Sequence, residues 1–172
     1  MARRARVSKR TFYHRFPDKA AVFAAVVRRI VEGLRPPAGT PLYEGGSLAE
    51  ILRRLARLIL RAALTPTALA LNRLMIAEAQ RFPELAAIVA REGGRAELVG
   101  HVAALLGREA RAGSLAIDRP EFAAEQFLQL VVASPQRRAL GLGTPMTEAD
   151  LDTWADDCVN LFLNGCRSWG PG

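Results

Sequence analysis

The segment RVSKRTFYHRFPDK, residues 6–19, gathers residue types that bind polyanions close to the start of the chain. It holds three Arg, two Lys and three aromatic side chains with a single acid. Cationic side chains and hydroxyls bind phosphates, and Lys or Arg can also donate to guanine edges in the major groove. The segment therefore favours a nucleic-acid contact, and its aromatic residues argue against a disordered basic tail.

The pattern around this segment predicts a short helix, a tight break and a longer helix. From Ser8 onward, Phe12, Tyr13 and Phe16 lie on one side at helical spacing, with basic residues elsewhere around the helix. Pro17 should end this helix, and Asp18 should cap the next one, which runs to about Gly33.

The positive charge is confined to this end of the chain. Residues 1–35 carry ten Lys and Arg against two acids, a net charge of +8, whereas residues 36–172 carry fourteen against fifteen, a net charge of −1. This division predicts a polyanion-binding module joined to a nearly neutral body. A basic amphipathic helix on an anionic membrane is the alternative, but it would not require the Thr-Phe-Tyr spacing followed by Pro-Asp-Lys.

The remaining residues predict an all-α body, because Ala, Leu, Arg and Glu dominate and β-branched runs are scarce. Residues 35–46, rich in Pro and Gly, read as a loop. Ser47 with Glu50, and Thr147 with Asp150, predict capping boxes. Further helices are expected from Thr65-Pro66 to about residue 81, from 83 to about 112 with an undecided break at Gly93–Gly94, and from Asp118 to a stop at Ser134-Pro135. A loop at 135–146 should precede the last helix.

Several function classes lack their sequence signals. We find no nucleophile–base arrangement, phosphate-binding glycine loop or paired carboxylate motif, so an enzyme is not expected. Cys158 and Cys166 are eight residues apart, too far for a disulfide within one helix, and no metal-ligand spacing occurs. We therefore expect no metal and no cofactor. The longest uncharged run, residues 62–72, is too short to span a bilayer, and a cytoplasmic protein is expected.

Residues 2–27 resemble the second half of the DNA-binding domain of TetR/AcrR-type regulators. The family pattern is roughly A-x-x-A-G-V-S-x-x-T-[LF]-Y-x-[HY]-F-x-x-K. The residues that match it are Ala2, Ala5, Val7, Ser8, Thr11, Phe12, Tyr13, Phe16 and Lys19. The stretch RLMIAEAQRFPELA, residues 73–86, resembles the AefR-like type of C-terminal domain. The resemblance implies an incomplete helix-turn-helix domain over residues 1–33, followed by a helical regulatory and dimerisation domain over residues 34–172.

Two features depart from the family pattern. Arg6 occupies the turn position where the family usually has Gly, so we expect strain or a changed turn there. By the same pattern, Met1 lies inside the second helix, so the first helix and most of the second would be missing. Since a helix-turn-helix needs its first helix to brace the recognition helix, Phe12, Phe16, Val22 and Val26 would leave an exposed apolar face.

The resemblance also implies three sets of functional residues. Operator DNA would be contacted by Ser8, Lys9, Arg10, Thr11, Tyr13, His14, Arg15 and Lys19. Candidates for a small-molecule pocket are Leu71, Met75, Glu78, Phe82, Leu98, His101, Val102, Leu105 and Phe127. A two-fold homodimer interface would use Phe127, Trp154, Cys158, Leu161, Phe162 and Trp169. For the last two sets, ordinary packing within the chain is the alternative.

The predicted function follows from these sets. We expect a TetR-like transcriptional regulator, a repressor that binds double-stranded operator DNA as a homodimer and is released by a small-molecule ligand. The alternative is a truncated family member that retains ligand binding and dimerisation and lacks sequence-specific DNA binding.

Overall fold

Asp18 precedes the first helix of the described residues in this computed structural model, which describes residues 16, 18–34, 42, 45–78 and 80–166. Helix α1 spans Lys19–Leu34. The Asp18 carboxylate accepts a hydrogen bond from the Ala21 N–H at 2.7 Å, which satisfies one of the N–H groups left free at a helix start. The predicted cap is therefore confirmed. The predicted recognition helix over residues 8–16 and most of the loop at 35–46 lie outside the described residues.

Helix α2, Leu48–Ala63, begins with the capping box predicted from Ser47 and Glu50. The Ser47 N–H donates to Glu50 Oε2 at 2.7 Å, and the Glu50 N–H donates to Ser47 Oγ at 3.4 Å. One face of the helix is buried, with Leu52 and Leu55 fully enclosed, and the arginines lie on the other faces. This is the amphipathic pattern of a helix that packs on a core.

Helix α3, Pro66–Glu78, also begins as predicted, with Pro66 at its first position. Thr65 Oγ1 accepts from the Ala68 N–H at 3.2 Å. The helix ends three residues earlier than the sequence suggested. Phe82 precedes Pro83 and has φ −133° and ψ 75°, because the proline ring disfavours the α conformation in the residue before it. Phe82 is therefore non-helical, and α3 has already ended at Glu78.

The undecided break at Gly93–Gly94 is a real interruption. Helix α4, Pro83–Glu92, ends there, and helix α5 spans Arg95–Arg111. Gly94 has φ +72°, a left-handed conformation that glycine adopts without a Cβ clash.

Helix α6 corrects the sequence prediction at its C-terminus. It spans Pro120–Ala139 and continues through Pro135, where a stop was expected. Pro135 is fully buried, so packing holds it in the helix despite the lost N–H. The predicted loop at 135–146 is therefore shorter. Helix α7, Glu148–Gly165, begins with the predicted capping box of Thr147 and Asp150.

The chain divides into two compact units, and α3 contributes residues to both. The first contains Met1–Arg35 and Leu74–Gly94, and the second contains Pro36–Arg73 and Arg95–Gly172. In the first unit α1 packs against α4, with Ala24, Val27 and Ile88 buried. In the second, α2, α5, α6 and α7 surround one hydrophobic core. The domain boundary predicted between residues 33 and 34 stays a prediction.

The predicted all-α fold is confirmed, since the described residues form seven helices and no strand. In the same part of the chain, no single helix is long and apolar enough to cross a membrane. The pair α2 and α3 reaches that threshold jointly by length and composition, with a bend of 69° between them.

Candidate functional site

The residues expected to contact DNA belong to the first unit. Ser8, Lys9, Arg10, Thr11, Tyr13, His14 and Arg15 lie outside the described residues. Lys19 begins α1, and its side chain also lies outside the description. The assignment of DNA contacts to these side chains therefore stays a prediction.

Helix α1 is fastened to α4 through charged side chains. Arg28 Nη1 lies 3.4 Å from Glu92 Oε2, and Arg91 Nε donates to Glu92 Oε1 at 3.1 Å. The hydrogen bond from Arg91, with the charge of Arg28, lowers the pKa of Glu92 below its ordinary value. Only the Arg28–Glu92 pair joins α1 to α4, and because its groups are near the surface it adds little to stability.

An open groove of about 430 Å³ runs along α1. Its lining combines apolar side chains, among them Phe16, Val22 and Val26, with Arg28, Arg29 and Glu32. Val26 is 48% exposed, whereas Phe16 and Val22 are half-buried. Of the residues expected to form an exposed apolar face, only Val26 is exposed among those described, and Phe12 lies outside the described residues, so that expectation stays a prediction.

The residues proposed for a ligand pocket are divided between the two units. Met75, Glu78 and Phe82 belong to the first. Met75 and Glu78 are half-buried, and the Arg81 guanidinium lies 5.3 Å from the centre of the Phe82 ring. The other candidates, Leu71, Leu98, His101, Val102, Leu105 and Phe127, belong to the second unit.

Within the second unit, burial separates these candidates. Val102, Leu105 and Phe127 are buried in the hydrophobic core, and Leu98 packs against it. Leu71 is half-buried and His101 is exposed. Core packing thus accounts for Val102, Leu105 and Phe127 in this structure, and their contact with a ligand stays a prediction.

The residues proposed for a dimer interface also differ in burial. Phe127, Cys158 and Phe162 are buried within this chain, and the rings of Phe127 and Phe162 lie 5.1 Å apart in a tilted arrangement. Leu161 is 64% exposed, and Trp154 is half-buried. Trp169 lies outside the described residues. Leu161 and Trp154 are therefore the members of this set that present surface on α7.

A polar ladder between α2 and α7 was not anticipated from the sequence. Arg57 contacts Asp156 at 2.7 Å and Asp152 at 3.2 Å. Arg53 Nη2 donates to Asn160 Oδ1 at 2.9 Å. The sequence does contain a signal for this ladder, because the arginines of α2 and their polar partners on α7 each recur at four-residue intervals, which places them on one face of their helix. A single sequence does not reveal which helix lies opposite these arginines.

The thiols and acidic groups do not form a reactive centre in the described part of the chain. Burial, with a smaller effect of the Asp157 charge, raises the pKa of Cys158 to about 11, and burial also raises the pKa of Cys166. Both thiols therefore stay protonated near neutral pH, the less nucleophilic form. The described residues contain no group of three or more His, Cys, Asp or Glu side chains that could hold a metal ion.

Two family models match the sequence. Residues 50–165 match the C-terminal domain of the AefR-like transcriptional repressors, and residues 1–26 match the bacterial regulatory proteins of the tetR family. The chain belongs to the TetR family. The resemblance drawn from residues 2–27 and 73–86 is thereby confirmed.

Solved structures of TetR-type regulators superpose on most of the chain. The flavonoid-responsive regulator FrrA is 32% identical, with a TM-score of 0.78 over 98% of this chain and 85% of that chain. A TetR regulator from Agrobacterium tumefaciens is 28% identical, with a TM-score of 0.77 over 97% and 82%. One from Pseudomonas syringae pv. tomato str. DC3000 is 25% identical, with a TM-score of 0.70 over 95% and 81%. No curated protein is a significant match.

Family membership fixes the broad role of the chain. The all-helical fold of the described residues matches the TetR fold, which consists of an N-terminal helix-turn-helix domain and a helical C-terminal domain. The protein is a transcriptional regulator of this family. Regulators of this family are DNA-binding proteins and not enzymes.

Proposed function

We propose that this TetR-family regulator is a dimeric repressor that binds operator DNA through its N-terminal residues and is released by a small-molecule ligand. The observation that carries the proposal is the match of residues 50–165 to the C-terminal domain of AefR-like repressors. The protein would act in the cytoplasm on double-stranded DNA, without a cofactor or a catalytic step.

In this proposal the contacts to DNA divide by chemistry. Lys9 and Arg10, with Ser8, meet base edges in the major groove, where a cation can donate to guanine O6 and N7. Thr11, Tyr13 and Lys19 donate to phosphates, joined by His14 and Arg15, and so set the position of the protein on the duplex. The net charge of +8 on residues 1–35 makes binding depend strongly on salt.

For the ligand we propose a polyphenol of the flavonoid class. The support is the similarity of the chain, at 32% identity over 98% of its length, to a regulator described as flavonoid-responsive. Met75 on α3 offers an apolar contact for an aromatic ring, and the half-buried residue Glu78 on the same helix can accept a hydrogen bond from a phenolic hydroxyl.

The proposed dimer pairs the surface of α6 and α7 with the same surface of a second copy. Leu161 and Trp154 supply the exposed part of this surface, above the buried Phe127, Cys158 and Phe162. A two-fold dimer would set its two DNA-reading helices about one helical turn of DNA apart, roughly 34–36 Å.

Release then follows from linkage between the two binding sites. A ligand changes DNA affinity only if it binds the DNA-incompetent conformation more tightly than the competent one. A hundredfold loss of DNA affinity requires a coupling free energy of about 2.7 kcal/mol. We propose that α1, which joins the DNA-binding residues to the rest of the chain, transmits the change.

The test begins with random-sequence duplexes from which the purified chain selects its preferred DNA. Fluorescence anisotropy then measures binding to the selected duplex and to a scrambled one, with and without flavones, flavanones and isoflavones. We expect tighter binding to the selected duplex than to the scrambled one, and release from it by at least one compound. Glu78→Ala should bind the selected duplex as before and should be released less by that compound. Equal binding to both duplexes would contradict the operator-binding proposal even if flavonoid binding were retained, and that result would favour a ligand-binding dimer without sequence-specific DNA binding.

A further inference from the structure

The interior proline of α6 leaves one carbonyl without its usual partner. In an α-helix each carbonyl accepts from the N–H four residues later, and proline has no N–H. Pro135 lies four residues after Val131 within α6, so the Val131 carbonyl lacks this bond. Val131 and Pro135 are both fully buried. A buried carbonyl without a donor is costly to the folded state.

Helix α7 supplies the missing donor. Trp154 Nε1–H donates to the Val131 carbonyl oxygen at 2.9 Å. One turn later on α7, Cys158 Sγ lies 3.5 Å from the neighbouring carbonyl oxygen of Leu130, as a weak donor. Two successive carbonyls of α6 therefore receive donors from two residues on one face of α7. The protonated state of the Cys158 thiol near neutral pH is consistent with this role.

We propose that Pro135 and Trp154 form a coupled pair that fixes how α7 lies against α6. Pro135 leaves the Val131 carbonyl of α6 without its usual donor, and the indole N–H of Trp154 on α7 donates to it instead. Trp154 is then a positioning residue for the surface that the two helices present, in addition to any contact it makes with a partner. This last step rests on the proposed dimer, whereas the pairing itself does not.

A double-mutant cycle tests the pairing. All variants carry Trp169→Phe, so that Trp154 is the sole tryptophan, and denaturant unfolding is followed by far-UV circular dichroism, which reports helix loss whether or not Trp154 is present. We expect Trp154→Phe to lower the equilibrium constant for folding roughly 5- to 100-fold, because a buried carbonyl loses its donor. With Pro135→Ala, which restores the backbone N–H, this loss should shrink by about fivefold or more. Equal losses in both backgrounds would show that Trp154 only fills space.

Hydrogen exchange gives a second test that does not depend on removing Trp154. In the Trp169→Phe protein, the indole N–H of Trp154 should exchange at least ~100-fold more slowly than in free indole. Exchange should accelerate with Pro135→Ala, because the Val131 carbonyl then has a donor of its own. Exchange at the free rate, or a rate that Pro135→Ala leaves unchanged, would overturn the coupling.

Sedimentation equilibrium tests the positioning step. Since Pro135 is fully buried, a second copy cannot contact its side chain in this conformation. We expect Pro135→Ala to change the dimer dissociation constant roughly 3- to 30-fold. Such a change would have to arise from an altered placement of α6 and α7. An unchanged dissociation constant would refute the positioning role. A parent protein that is monomeric would instead contradict the proposed dimer, while the exchange result on the pairing would stand.

Discussion

At the scale of single residues, Lys9 and Tyr13 are expected to divide the work of reading and positioning DNA. Lys9→Ala should lower affinity and also relax specificity by roughly 1–3 kcal/mol at one base pair, because a base-edge donor is lost. Tyr13→Ala should weaken binding about equally for all sequences, because a phosphate contact carries no sequence information. Binding profiles over single-base variants of the selected duplex measure both effects. Identical profiles for the two variants would refute this assignment.

On α7, the sequence predicted an apolar stripe but not which of its side chains are buried. Leu161 and Phe162 are neighbours in one apolar stripe, yet Leu161 is 64% exposed and Phe162 is 9% exposed. Successive helix residues differ by about 100° in direction, so the stripe predicts a buried side but not where that side ends. Phe162 is buried because it packs against Phe127 of α6. That opposing surface belongs to another helix, which the pattern of α7 does not identify.

At the scale of elements, helix starts were predictable and helix ends were less so. The N-caps at Asp18, Ser47, Thr65 and Thr147 depend on a side chain three residues or fewer from the N–H it satisfies, and that information is local. Pro135 illustrates the opposite case. A proline usually ends a helix, but here a donor from α7 offsets the lost hydrogen bond. No local pattern in α6 reveals that donor.

The interruption between α4 and α5 gives a prediction about glycine. Gly94 has φ +72°, and an added Cβ would lie 3.2 Å from Val31 Cγ1 on α1. Gly113 is the matched control, because it has φ +78° and no heavy atom within 4 Å of an added Cβ. Both Gly→Ala substitutions should cost roughly 1–2 kcal/mol for the left-handed backbone. Gly94→Ala should cost more and should reduce hydrogen-exchange protection in α1 and α4. Equal costs would refute the contact with Val31.

The two capping boxes predict how stability depends on pH. The N–H and then the hydroxyl of Ser47 lower the pKa of Glu50, and Thr147 lowers the pKa of Asp150 in the same way. A carboxyl group with a lowered folded-state pKa stabilises the fold above its unfolded pKa, about 4, and this contribution is lost as pH falls through the folded-state value. Stability should therefore decrease below about pH 4.

Denaturant unfolding between pH 6 and pH 3 measures this dependence. Glu50→Gln and Asp150→Asn should each reduce the slope of stability against pH, since the variant side chain no longer titrates. Glu121→Gln, which replaces a solvent-exposed acid in the first turn of α6, serves as the comparison. A slope that neither capping variant changes would contradict the role of the boxes.

At the scale of the whole molecule, the uneven charge of the sequence distinguishes one end of the chain from the rest. The excess of +8 lies in residues 1–35, and those residues belong to one of the two units seen in the structure. The sequence did not indicate that residues 74–94 join them in that unit. That association depends on α4 packing against α1, although some fifty residues separate them in the chain. The sequence of neither helix predicts which helix it packs against.

The proposed dimer can be tested with two exposed leucines. Leu161 on α7 is 64% exposed and Leu142 in the loop after α6 is 66% exposed, so a charge at either position has similar access to water in the monomer. If Leu161 is buried by a second copy, Leu161→Glu should raise the dimer dissociation constant at least ~10-fold, because an unpaired carboxylate is then desolvated. Leu142→Glu should leave it unchanged. Sedimentation equilibrium gives both constants. Operator affinity should fall in the variant that dimerises more weakly, because the two DNA-reading helices of a dimer bind one site. Equal effects of the two substitutions would place the interface elsewhere on the molecule.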